Sequence, residues 1–93
     1  MTELSTDTKR KYAIIAAIAK HNNPTLTEIS DLTGIPASTL KRQISQLRTD
    51  YGMDIRFVPN GQSKGRTGHY HIFEWGVLDR TEFLVRYGSI LET

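Results

Sequence analysis

Ser38, Thr39, Lys41, Arg42, Ser45 and Gln46 crowd into one short run of the chain. Together they offer a guanidinium, an ammonium, three hydroxyls and a carboxamide: many donors, some acceptors and no carboxylate. Such a set can bond to phosphate oxygens and to the edges of bases. Arg42 carries the planar fork that suits a base edge or a phosphate, and Lys41 a point charge that suits phosphate. A second group, Lys64 and Arg66 with Gln62, lies in the loop 60–68, where Gly61, Gly65 and Gly68 let the chain bend sharply. That loop lacks the Gly-Lys-Ser/Thr ending of a nucleotide-binding phosphate loop. His69 and His71 lie two apart on one strand face, short of the three or four ligands zinc needs, and no cysteine can complete a site. His21 lies near a helix end, where a cation is favourable. The chain offers no nucleophile–base pair, carboxylate pair or metal triad, so no catalytic residue, metal or cofactor is expected and the chain reads as a non-enzyme.

Local signals define the elements that carry these residues. Ser5, Thr6 and Asp7 can cap a first helix running to His21, with Ile14, Ala17 and Ile18 on one face. Asn22, Asn23 and Pro24 stop it. A short helix follows over 27–33. Its cap is Thr25, which has capping-box spacing to Glu28, or equally Thr27. Gly34 ends it and Ile35–Pro36 make the turn. The third helix spans Ala37–Asp50. Leu40, Ile44, Leu47 and Tyr51 form its apolar stripe, while Ser38, Arg42, Ser45 and Thr49 point the opposite way. Ile55–Val58 and His69–Trp75 read as the strands of a hairpin, with Ile55 and Phe57 on one face and Pro59-Asn60-Gly61 breaking the first strand. Asp79 and Glu82 start a last helix over 79–91, whose stripe is Phe83, Leu84, Tyr87, Ile90 and Leu91, with Gly88 weakening its end. Two readings of that stripe stay open: packing on the first helix, or pairing two copies into a homodimer.

The order helix, helix, helix, strand, strand, helix is an α+β plan, with a helix-turn-helix at 25–51, a hairpin at 54–75 and a closing helix. The run from Leu26 to Leu47 resembles the helix-turn-helix of bacterial and archaeal winged helix regulators, most nearly the IclR-like and MarR-like types. Ile29 and Leu32 supply the apolar pair of the first helix, then come Gly34, Ile35 and Pro36, then Ser38-Thr39-Leu40, Arg42, Ile44 and Leu47. Ser30 stands where that pattern usually has alanine, and no effector domain is expected. The resemblance implies a three-helix core with a two-stranded wing. It implies a DNA-binding protein, and a transcriptional regulator, with helix 37–50 in the major groove of double-stranded DNA. Ser38, Thr39 and Arg42 would then enter the groove, and the wing, 59–69, would touch backbone or minor groove through Lys64 and Arg66. Amides at Ala37 and Ser38 can hold a phosphate as well.

Composition fits this reading. The 93 residues suffice for one domain over 1–93 and one small core. Hydrophobic content of 38% and charged content of 24% describe a folded chain. Net charge is only +2, but residues 36–71 hold six basic side chains (Lys41, Arg42, Arg48, Arg56, Lys64, Arg66) against Asp50 and Asp54, while the remainder holds six basic against eight acidic. A basic middle suits a polyanion. Its modest size is the feature that supports the alternative, a protein-interaction winged helix within a larger complex. No signal peptide or apolar run long enough for a membrane is seen, so a cytoplasmic location is expected.

Overall fold

Ser5 is the N-cap of the first helix, α1 (Thr6–Lys20), its hydroxyl accepting the Thr8 amide. Five successive residues of α1, Ile14 to Ile18, are buried. A surface helix buries one stripe, whereas a central one is covered on every side. α1 is the central helix here: α2 (Leu26–Thr33), α3 (Ala37–Asp50), β2 (Gly68–Glu74) and α4 (Arg80–Tyr87) all pack on it. The computed structural model describes residues 5–21, 24–59 and 68–92. The expected helix stop at Asn22–Asn23 falls outside them; α1 is helical to Lys20, with His21 as its extended C-cap.

α2 begins with a complete capping box. The Thr25 hydroxyl accepts the Glu28 amide, and the Glu28 carboxylate accepts the Thr25 amide at 2.8 Å. The choice between Thr25 and Thr27 thus falls on Thr25. α3 lays Leu40, Gln43, Ile44 and Leu47 into the core, which matches its apolar stripe with one polar addition. Gln43, though polar, is buried and donates its amide to Asp7 at 2.8 Å, while its Oε1 has no partner among the described residues. Asp7 also accepts the ammonium of Lys11, itself a buried lysine. These bonds tie the start of α1 to the middle of α3.

The hydrogen bond from Gln43, and after it that from Lys11, holds the Asp7 carboxyl below the usual carboxylate range. A carboxyl more acidic in the folded chain than in the unfolded one stabilises at all pH above its unfolded value. That stabilisation disappears as pH falls through the folded value. We therefore expect the melting temperature to drop on acidification below about pH 4, and Asp7→Asn to remove part of that drop while lowering the melting temperature at neutral pH. Thermal denaturation followed at several pH values, for both chains, checks it.

The hairpin pairs β1 (Asp54–Pro59) with β2, antiparallel, with Ile55 opposite Ile72 and Phe57 opposite Tyr70. Both strands outrun their expected limits at the turn end, since Pro59 pairs with Gly68. Proline is tolerated there because it ends an edge strand. A bulge between Asp54 and Ile55 leaves Phe73 as the extra residue on β2. The outer edges of this small sheet are tied down locally. Arg48 of α3 donates to the Ile55 carbonyl at 2.7 Å, and the Tyr70 amide donates to the Pro24 carbonyl at 2.9 Å. Behind β2 the chain turns through Gly76 at φ 63°, where an added Cβ would lie only 2.1 Å from the Tyr51 carbonyl oxygen.

The last helix differs from the expected 79–91. Asp79 caps it as foreseen, accepting the Glu82 amide at 2.8 Å. It then ends at Tyr87, and a short 3-10 turn over Ile90–Glu92 follows. The break falls at Gly88, a poor helix former whose carbonyl is taken by the Lys20 ammonium at 2.6 Å. Of the two readings of the apolar stripe, packing on α1 is the one described by the contacts. Tyr12 of α1 meets Phe83 edge-on with ring centres 5.3 Å apart, and Tyr87 at 4.7 Å. Leu84, Ile90 and Leu91 pack against the same core. Among the described residues no helix is long and apolar enough to cross a membrane.

Candidate nucleic-acid interface

The turn between α2 and α3 sets the angle at which α3 is presented. Gly34 adopts φ 73°, the left-handed conformation that ends α2. Its amide bonds back to Ser30 at 2.8 Å. The next residue, Ile35, is clamped twice. The Ser30 hydroxyl donates to its carbonyl at 2.7 Å, and the Thr33 hydroxyl accepts its amide at 3.2 Å. Ser30, where an alanine was the expected type, therefore fixes the turn. Ile35 itself is buried, so the clamp seats an apolar anchor directly before α3.

α3 then divides cleanly. Leu40, Gln43, Ile44 and Leu47 face inward. Ser38, Lys41, Arg42 and Ser45 are exposed, and Thr39 and Gln46 are half-buried. The sequence-derived set thus lies on the outer side of one rigid helix. Lys64, Arg66 and the rest of the loop 60–67 lie outside the described residues.

The basic residues of the middle region are not equivalent. Arg48 is spent on the Ile55 carbonyl. Arg56 forms a two-bond pair with Asp54, at 2.9 and 2.8 Å, and its guanidinium lies 4.8 Å from the centre of the Phe73 ring. The hydrogen bond to Arg56 holds the Asp54 carboxyl below its usual range, and the same bond raises the guanidinium above its own. Lys41 and Arg42, by contrast, make no hydrogen bond or ion pair among the described residues. Their donors are open to a partner.

The start of α3 is open too. α1, α2 and α4 each have a side-chain cap and an acidic residue in the first turn: Asp7, Glu28 and Glu82. α3 has neither; its N-cap is Pro36, and its first turn carries no acid. The first backbone bond closed within it runs from the Leu40 amide to the Pro36 carbonyl. The amides of Ala37, Ser38 and Thr39 therefore project from the positive end of a 14-residue helix dipole. Such an end attracts anions.

The winged helix-turn-helix family profile matches residues 3–92, nearly the whole length. The chain belongs to the winged helix-turn-helix family. The hairpin is thus the wing, and α2 and α3 are the helix-turn-helix. The family match is to the winged helix as such and does not extend to the IclR-like and MarR-like types that the motif resembles. A crystal structure of a DUF2131 family protein from Shewanella amazonensis SB2B has the same fold, with a TM-score of 0.73 and 23% identity, covering 96% of this chain and 92% of that one. No curated protein matches this chain.

Sequence reasoning missed two features of this winged helix. One is the exposed face of the wing strands, where Arg56 and His71 both lie against Phe73; the register that unites them depends on the bulge. The other is the cleft behind β2 described below. Among the described residues no group of three or more His, Asp or Glu side chains comes together as a metal site would require.

Proposed function

We propose that this winged helix binds double-stranded DNA and acts as a transcriptional regulator. α3 lies in the major groove, with Arg42 toward base edges and Lys41 toward the backbone. One observation carries the reading: α3 is the helix whose start lacks both cap and acid, and the same exposed face holds two cations without partners among the described residues. A phosphate at the amides of Ala37 to Thr39 would satisfy donors that the protein leaves open. Ser38, Thr39, Ser45 and Gln46 supply further contacts along that face, and the wing, 59–69, meets backbone or minor groove through Lys64 and Arg66. In the same proposal, two copies pair through the outer side of α4, where Val85 is 78% exposed.

The test is fluorescence polarisation with labelled duplexes over a range of salt. A linear fall of log affinity with log salt is expected, with a slope of about −2 to −4 per chain for a handful of phosphate contacts. Absence of binding at low salt overturns the proposal. Binding that ignores salt, alongside a stable complex with a protein, would favour the protein-interaction role instead.

A further inference from the structure

On the flank of the wing away from α3, an open cleft of about 340 Å³ runs between the end of α1, the middle of β2 and the start of α4. Its apolar part is formed by Ile18, Ile72 and the half-buried Trp75. Lys20, His21, His71 and Arg80 line the remainder, and among the described residues no acidic side chain lines it. Basic groups brought to one concave surface without a carboxylate raise the local potential, and a concave site concentrates it.

The sheet edge adds a donor. In an antiparallel pair, every second residue turns its amide and carbonyl away from its partner strand. The Tyr70 amide points outward to Pro24 and the Ile55 carbonyl points outward to Arg48, which fixes the phase of the hairpin. Ile72, opposite Ile55 and two beyond Tyr70, therefore turns its amide outward as well. Pro24 covers the edge at Tyr70, whereas at Ile72 the edge faces the cleft. The site thus combines an apolar floor, an aromatic side, a basic rim and a backbone donor. Its volume lies at the small end of ligand sites.

We propose that this cleft binds a small organic anion. Its apolar body lies on Ile18, Ile72 and Trp75, and its acidic group, carboxylate or phosphate, meets Arg80 and the Ile72 amide. No residue of α3 lines the cleft, so the site is distinct from the proposed DNA-binding face.

Trp75 is the one tryptophan of the chain, so its emission reads this cleft directly. The full chain is titrated with benzoate, phenyl phosphate, benzamide and inorganic phosphate, with the indole excited beyond the absorption of the ligands. The Ile72 amide is followed by NMR in parallel. We expect a saturable response to benzoate or phenyl phosphate, with whichever binds more tightly naming the acidic group. Benzamide should bind at least about tenfold more weakly, because it lacks the charge. Arg80→Gln should weaken the anion by about tenfold with an unchanged melting temperature, since Arg80 is exposed. His71→Gln serves as a second rim variant and should weaken it less. Equal responses to benzoate and benzamide overturn the proposal, as does affinity untouched by both variants. So does a silent Trp75 and Ile72 with all four ligands. Inorganic phosphate binding as tightly as phenyl phosphate removes the apolar body from the site and overturns its organic character. A duplex DNA that shifts Trp75 when the small anions do not would assign the cleft to DNA backbone.

Discussion

Ile44→Ala is expected to lower the melting temperature by about 10–20 °C, the loss of about 2–4 kcal/mol in a domain of this size. Ile44 is 1% exposed and lies among Leu40, Leu47 and the buried face of α1. Truncation removes apolar area from the core and leaves a cavity that the surrounding helices fill only in part. Small domains hold about 5–15 kcal/mol in reserve, so this one change takes a large share. The neighbouring Ser45→Ala is the control. Ser45 is exposed, and its substitution should change stability by less than about 0.5 kcal/mol. Calorimetry or thermal circular dichroism on both variants decides the matter. Similar melting temperatures for the two would mean that α3 is not seated on α1 as described.

That contrast between adjacent residues was legible in the sequence, because it follows from helical period alone. Leu40, Ile44 and Leu47 recur with the spacing of one face, and the structure buries them together. Gly34 was legible for a different reason: the left-handed turn it adopts excludes most other residues. Burial of the middle of α1, Ile14 to Ile18, on all sides was not legible. Periodicity reports one covered face, and only the assembled fold shows that α2, α3, β2 and α4 share this helix between them. Gln43 illustrates a second limit. Its position belongs to the inner face of α3, but its polarity argues against burial until Asp7, 36 residues earlier, is seen to accept its amide. The bond from Lys20 to the Gly88 carbonyl at the end of α4, 68 positions away, was likewise invisible to local spacing.

The candidate interface divides along the same lines. That Ser38, Arg42 and Ser45 share an exposed face follows from 100° per residue. Which cations are available does not, because availability is a matter of tertiary partners. Arg48 and Arg56 looked equivalent to Arg42 in the charge balance, yet one holds the edge of β1 and the other is paired with Asp54. The structure therefore narrows a basic region to Lys41 and Arg42 within the described residues. The cleft behind β2 was illegible altogether. His21, His71 and Arg80 come from three separate elements, and no spacing along the chain connects them.

Arg42→Ala and Ser38→Asp should separate affinity from stability on the proposed DNA-binding face. Arg42 is exposed and bonded to nothing in the described chain, so its loss should leave the melting temperature within a degree or two. Its loss should cost about 1–3 kcal/mol of duplex binding, roughly five- to 150-fold. Lys41→Ala should instead weaken all sequences alike and reduce the salt slope by about 1. Ser38→Asp acts on the helix start. α3 is the helix that lacks an acid in its first turn, and an aspartate there meets the unsatisfied amides and the positive dipole end. Stability should rise by about 0.3–1 kcal/mol, or about 2–6 °C. The same carboxylate occupies the place proposed for a phosphate and repels it, so affinity should fall by about tenfold or more. A variant that is more stable and binds less cannot owe its lost affinity to a loosened fold. Should Ser38→Asp gain stability and bind duplex DNA as tightly as the parent chain, the start of α3 is not where the backbone docks, and the orientation proposed for the helix in the groove is wrong.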